Sequence, residues 1–503
     1  MNLARNFVEN FPCFSIVLCM VAGILSTPIK GNHAKRITLL VVILVTCMSA
    51  ATFLYVVSTG TSFVYTMGKY PAPWGNEIRA GVLETMLATV FSLVMLFSLL
   101  GGMDHVFKDI PEEKINLYFI LVDLLLSSLL AIIYTNDLFT GYVFVEINTI
   151  AACGMIMIRK IGRSLVAATR YMVMSLIGSG LFLIGLAMLY DITGHLLMEN
   201  AHLVMNQLVQ EGKYSVPLLV IISFITVGLA IKSGLYPFHS WMPDAYGYST
   251  VSSSSILSSL VSKSYIILLI KIFYRVIGFD NIVNSKIVDV LFVFGLAGMV
   301  MGSVGAIMAK DIYRMIAFSS VAQIGYVYMG IGLETEAGMV AAIFHILTHA
   351  ITKSLLFLAA KGLNNVSGRK RVFYALQGSA FRNPLAGVAF LVGSLSMVGI
   401  PMLSGFISKL LFATAALGAA REKVLITLIV LAVSTILNAI YFLHTVVRIY
   451  TPVHVPEEFK NVHVRVSKGA ALAVFSLICM NFILGLLSQP ITDLIQVGIA
   501  MFA

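Results

Sequence analysis

Apolar runs of about twenty residues follow one another along nearly the whole chain, separated by short polar connections. A run of that length crosses a hydrocarbon core as one helix. The pattern predicts about fourteen helices, near 12–28, 37–58, 81–103, 115–135, 137–158, 170–190, 216–244, 252–276, 287–309, 313–333, 337–361, 386–420, 424–447 and 468–489. The expected class is an all-α polytopic membrane protein. Two runs are interrupted: Lys232 is followed by Gly234-Leu235-Tyr236-Pro237, and Gly399-Ile400-Pro401 precedes Lys409. Proline removes a backbone donor and crowds the preceding turn, so the seventh and twelfth helices are expected to open near Pro237 and Pro401. Opened backbone at membrane depth survives only inside protein or against a water-filled cavity. Paired interruptions in corresponding halves point to an internally repeated transporter. The expected division is 1–114 for helices 1–3, 115–280 and 281–450 for two repeats, and 451–503 for the last helix.

Polar residues inside apolar spans narrow the reading further, because such residues are expensive in lipid and are commonly functional. Four lysines lie in spans: Lys232, Lys263, Lys353 and Lys409. Glu146 is flanked by apolar residues in Tyr142-Val143-Phe144-Val145-Glu146-Ile147-Asn148, and must be paired, protonated or in contact with water. A structural ion pair with a neighbouring helix is the alternative. His345, His349 and Lys353 recur at every fourth position, hence on one helical face with steps of about 6 Å. Zinc chelation by the two histidines is the competing reading, but the glutamate of His-Glu-x-x-His is missing. A proton relay fits the spacing better, and no metal is expected. Ser319, Ser320 and Gln323 add polar atoms to the tenth span, and Asp123 is a further candidate in the fourth. Glu84 sits where it can reach headgroups. His239, beside Ser240 and Asp244, lacks the nucleophile-elbow context of a hydrolase, and is expected to line a water path or cap the broken helix. Tyr70-Pro71-Ala72-Pro73-Trp74-Gly75 reads as an interfacial anchor, and residues 191–215 as a polar connection with some helical character.

Composition and charge agree. Of 503 residues 59% are hydrophobic and 11% charged, against about 25% charged in soluble domains. The net charge of +10 suggests nucleic acid until it is mapped. Odd-numbered loops hold 20 of the 33 Lys and Arg, and even-numbered loops with the two ends hold nine. That is the positive-inside asymmetry, which places both termini on the non-cytoplasmic side. Nucleic acid is not an expected partner. The five cysteines lie in apolar runs without metal spacing, and no Walker or Rossmann glycine pattern occurs, so no cofactor is expected. The first span lacks a signal-peptide cleavage pattern and is expected to be retained.

Taken together, several motifs resemble a known family. They are Asn136-Asp137-Leu138-Phe139 with Glu146; Lys232 with Pro237-Phe238-His239-Ser240-Trp241-Met242-Pro243-Asp244; Ser262-Lys263; Lys310-Asp311 with Arg314 and Ser320; His345, His349 and Lys353; and Gly399-Ile400-Pro401 with Gly405 and Lys409. Over about residues 70–450 the chain resembles the antiporter-like membrane subunits shared by respiratory complex I, energy-converting membrane hydrogenases and Mrp-type cation/proton antiporters, and looks most like the Mrp D-type or hydrogenase versions. Phe318 and Tyr313 depart from that pattern, standing where a tyrosine and a lysine are usual. The resemblance implies fourteen helices with two inverted five-helix repeats, each holding a half-channel. It implies roles for Glu146 and Lys232 as the charged pair of the first repeat, Lys263 as the connecting lysine, His345 and His349 as the central histidines, and Lys409 as the exit-side lysine.

The function expected on this basis is proton translocation, with or without sodium exchange, by one subunit of a multisubunit complex in a prokaryotic plasma membrane. Its expected partners are other membrane subunits and the lipid bilayer. Burial disfavours an ammonium, whereas a carboxylate about 6 Å away favours it by roughly 2.8 kcal/mol at an effective dielectric near 20. Movement of Glu146 is therefore expected to switch Lys232, which passes its proton by Lys263 and the histidines to Lys409. A pumping subunit of a redox-driven complex is the alternative, with its catalysis elsewhere. An inactive membrane scaffold is the alternative from another class.

Overall fold

The computed structural model describes residues 7–70, 75–452 and 466–502; positions 71–74 of the expected interfacial anchor lie outside them. The chain opens with α1 (Phe11–Leu25) and α2 (Gly31–Thr59), followed by a small antiparallel ribbon of β1 (Phe63–Thr66) and β2 (Glu77–Ala80). Then come α3 (Val82–Asp109), α4 (Ile115–Tyr134), α5 (Leu138–Met157), α6 (Gly162–Thr193) and the short amphipathic α7 (Met198–Gln210). The first interrupted span is α8 (Ser215–Ser233) with α9 (Met242–Tyr248), and α10 (Val251–Ile277) follows. The second half comprises α11 (Ile287–Met308), α12 (Ile312–Gly332), α13 (Glu336–Asn365), the interrupted pair α14 (Pro384–Val398) and α15 (Ser404–Leu417), and α16 (Arg421–Tyr450). Two helices close the chain, α17 (Lys468–Leu486) and α18 (Ser488–Ala500). Twelve helices among the described residues are long and apolar enough to span a membrane. With α1 and the α14–α15 pair, they fill the fourteen positions expected.

Spanning helices form because each satisfies its own backbone in the absence of water. Their order within the bundle follows burial. Every residue of the most apolar stretch of α10 and of α13 is buried, whereas most of α16 and α17 faces outward. Helices approach closely where glycines remove side chains. A Cβ at Gly228 of α8 would stand 2.6 Å from the Gly178 carbonyl oxygen of α6, and one at Gly178 would stand 2.8 Å from the Gly228 oxygen. This crossing brings α6, and with it Ser179, against the helix carrying Lys232.

The two interruptions share one mechanism, and glycine rather than proline sets it. α8 ends at Ser233, where Gly234 takes a left-handed φ of 78°, and both Gly234 and Leu235 donate to the Ala230 carbonyl. α14 ends at Val398, where Gly399 has φ 94°, and Gly399 and Ile400 donate to the Leu395 carbonyl. A left-handed glycine that closes the last carbonyls is a helix terminator by itself. Pro237 and Pro401 lie beyond the cap, where they prevent the helix from resuming at once. Asp137 is the N-cap of α5, accepting from the Thr140 amide at 2.6 Å, one position outside the first turn.

Candidate functional site

The site lies where the interrupted spans meet α5, α10 and α13. On α5, Glu146 faces α8: the Lys232 ammonium is 3.2 Å from Oε1 of Glu146 and donates to Oγ1 of Thr149 at 2.7 Å. Thr149 is one turn beyond Glu146, so a single helix face supplies both acceptors. Ser179 of α6 donates its hydroxyl to the same carboxylate oxygen. The Lys232 side chain is fully buried, whereas that of Glu146 is 25% exposed on the outer flank of the bundle, beside exposed Val143 and Ile150. The ring of Tyr265, from α10, lies 5.5 Å from the ammonium, and its hydroxyl donates to Asn148 at 2.9 Å.

Two residues before Tyr265 stands Lys263, fully buried. It follows a π-helical turn at Leu257–Val261 and donates to the carbonyl of Ser258. A π turn shifts the backbone hydrogen bonds out of register and leaves a carbonyl open to a side chain, and such turns recur at functional sites. This π turn packs against α13, which carries His345, His349 and Lys353.

The α13 ladder has the geometry its spacing predicts. The imidazoles of His345 and His349 lie nearly parallel with centroids 6.0 Å apart. His349 is completely buried, yet neither ring nitrogen has a hydrogen-bond partner among the described residues. A buried imidazole left without protein partners calls for water. His345 meets Ser408 of α15 through Nδ1 at 2.6 Å and stacks on Tyr326 of α12 at 5.4 Å. Next to Ser408, Lys409 places its ammonium 5.9 Å from the Tyr326 ring and donates to the Val398 carbonyl at 2.7 Å and to Thr435 at 3.0 Å. Lys409 thus caps the open end of α14, a favourable place for a cation. Lys353 donates to the Ile316 carbonyl at 3.0 Å and to the Ser319 hydroxyl.

These contacts form separate groups: Glu146 with Lys232, His349 with His345 and Ser408 beside Lys409, and Lys353 with Ser319, while Lys263 lies two positions from the Tyr265 ring that covers Lys232. Other candidates stand aside. Asp123 faces α2, where Thr38 donates to it at 2.8 Å. His239 is half-buried and stacks on Tyr236 at 5.3 Å. Asp244 is held by Arg170 at 2.6 Å and Arg314 at 3.4 Å. Ser320 returns its hydrogen bond to its own helix at Ile316, and Gln323 is buried.

One charge differs from its sequence reading, and two that the sequence did not single out lie beside it. Glu84 reaches no headgroup: it is 1% exposed and pairs with Arg275 at 2.5 Å. Arg275 and Lys271 lie at the buried end of α10. There Lys271 donates to the carbonyls of Ile133 and Thr135, at 2.8 and 2.5 Å, at the end of α4. The signal that finds them is spacing: positions 263, 271 and 275 recur in multiples of four on one helix.

Comparison with known proteins bears on the family and the fold. Residues 135–437 match the family described as NADH:quinone oxidoreductase/Mrp antiporter, TM. The N subunit of the NADH-quinone oxidoreductase of Desulforudis audaxviator is 32% identical over 392 residues, covering 78% of this chain and 76% of the relative. The D-type subunit of the Na(+)/H(+) antiporter of Alkalihalophilus pseudofirmus is 28% identical over 434 residues, covering 85% and 84%. Among solved structures, a chain of the membrane-bound sulfane sulfur reductase, an archaeal respiratory membrane complex, superposes with a TM-score of 0.86 at 26% identity, covering 99% of this chain and 97% of that one.

Proposed function

Because the chain belongs to the NADH:quinone oxidoreductase/Mrp antiporter transmembrane family, we propose that it is the proton-carrying membrane subunit of a multisubunit Mrp-type cation/proton antiporter. The observation that supports this most directly is His349. A buried imidazole without a hydrogen-bond partner among the described residues, six ångströms from a second imidazole, suits a hydrated proton path. Burial favours the neutral form of Lys232 and the nearby carboxylate favours its charged form, so the Glu146–Lys232 distance selects between them. Retreat of Glu146 frees the proton of Lys232 toward Lys263. His349 and His345 carry it to Lys409, with Lys353 and Ser319 beside the path. Asp123 and His239 take no transfer step in this scheme. Partial exposure of Glu146 on a lipid-depth flank fits a second membrane subunit packed there. The chain resides in a prokaryotic plasma membrane with its Lys- and Arg-rich loops in the cytoplasm and both ends outside.

A redox-driven pump is the second reading, favoured by the quinone oxidoreductase relative and by the respiratory complex whose chain shares the fold. Purification through a tag on this subunit separates the two. Small hydrophobic partners, with cation-dependent acidification of inverted vesicles, support the antiporter, whereas co-purified iron–sulfur proteins support the redox pump. In either complex Lys232→Ala is expected to abolish proton movement without loss of assembly; an unchanged rate overturns the relay.

A further inference from the structure

The α13 ladder does not stop at Lys353. Two turns further toward the Arg- and Lys-rich end of the bundle lies Lys361, 9% exposed, with its ammonium 3.6 Å from Oδ2 of Asp109 at the end of α3. Both side chains are about nine-tenths buried. One turn before Asp109 is His105, whose Nε2 meets the Asn365 amide at 3.1 Å. A cavity of about 80 Å³ opens here between α3, α13, α14 and the start of α17, its polar lining including Asp104, His105, Lys108, Lys361 and Asn365. One water needs roughly 10–15 Å³ by this measure, so the space holds several. Asp104 and Lys108 at its mouth are exposed, and Lys361 lies at its depth. Between Lys361 and Lys353 stands one further rung. Phe357 stacks on the buried ring of Tyr313 at 6.4 Å, under the Arg371 guanidinium at 4.9 Å. Tyr313 precedes by one turn the Ile316 whose carbonyl holds Lys353.

We propose that the Lys361–Asp109 pair is the loading site through which protons from the basic-loop side reach the buried relay, with the Tyr313 hydroxyl bridging to Lys353. The proposal rests on the relay reading and gives that relay its intake. A proton leaves a cavity water, binds the free amine of Lys361 beside the Asp109 carboxylate, and passes inward. The hydroxyl of Tyr313 accepts that proton and gives up its own to the free amine of Lys353, which leaves the Lys361–Asp109 pair at its starting charge. A structural ion pair alone accounts for the attraction between Lys361 and Asp109. It does not account for a water-sized cavity reaching Lys361.

The two roles come apart by substitution in the complete complex. Lys361→Arg keeps the charge and the ion pair but never releases its proton; Lys361→His keeps a group that titrates near neutrality. At equal complex abundance, the loading role predicts at least a tenfold lower initial rate of proton movement for Lys361→Arg. It predicts partial rescue by Lys361→His, with the rate falling at alkaline pH on the basic-loop side. Wild-type rates in Lys361→Arg, or a lower rate in Lys361→His than in Lys361→Arg, overturn the proposal. Should Lys361→Arg not assemble, Asp109→Asn is read against the same pH profile, and an unshifted profile overturns it. Glu146→Gln run beside them keeps the two readings apart. If it stops transport while Lys361→Arg does not, only the intake is lost; if it leaves transport intact, the relay itself falls.

Discussion

Replacing Glu146 by glutamine removes one charge and little else: volume and a hydrogen-bonding amide remain, and Thr149 still accepts from Lys232 at 2.7 Å. At the 3.2 Å separation and an effective dielectric near 20, the charge pair is worth about 5 kcal/mol; withdrawn to about 8 Å it retains about 2. The difference of about 3 kcal/mol is roughly a hundredfold in the protonation equilibrium of the amine, which is ample for a switch. Glutamine fixes that equilibrium in one state. Inverted vesicles carrying the assembled complex, with proton movement followed by a pH-sensitive dye after a cation pulse, are expected to show at least a tenfold lower initial rate. Glu146→Asp withdraws the charge to about 4.5 Å, keeps about 4 kcal/mol and is expected to retain partial activity. A wild-type rate in Glu146→Gln, at matched complex abundance on a native gel, refutes the switch.

The remaining predictions concern other parts of the bundle. Lys409→Glu is expected to keep part of the transport rate and Lys409→Met none; both lose the cap on the Val398 carbonyl, so equal rates in the two count against a titrating role. Breaking the buried Arg275–Glu84 pair from one side, with Arg275→Met or Glu84→Gln, is expected to cost about 3–5 kcal/mol. A double replacement by apolar residues costs less, and an unchanged Tm in the single variants would contradict the pairing. Gly405→Ala places a Cβ 1.7 Å from the Ser396 carbonyl oxygen, with backbone on both sides of the clash. Assembled protein is expected to fall sharply, and a wild-type yield speaks against the tight turn between α14 and α15.

The run of apolar segments was enough to determine the class, the number of spans and the two places where a helix breaks, because lipid leaves a backbone no other solution. It also located the titratable ladder, since positions 345, 349 and 353 share a face by helical geometry alone. What the letters left open is which helix faces which. Lys271 and Arg275 stand out in no way in the sequence, because a cation near a span end ordinarily snorkels to the interface. Only the fold turns them inward, to the end of α4 and to Glu84. The breaks show the same limit in miniature: proline marks them in the sequence, but the left-handed glycines at 234 and 399 make them, by closing carbonyls within the last turn. Ser179 beside Glu146, Ser408 beside His345 and Asp109 beside Lys361 are ordinary polar residues until packing places them. Periodicity is local, written by neighbours three and four positions apart. The hydrogen-bond and ion-pair partners of these groups lie 33, 63 and 252 positions away in the chain, and only side-chain packing between helices brings them into reach.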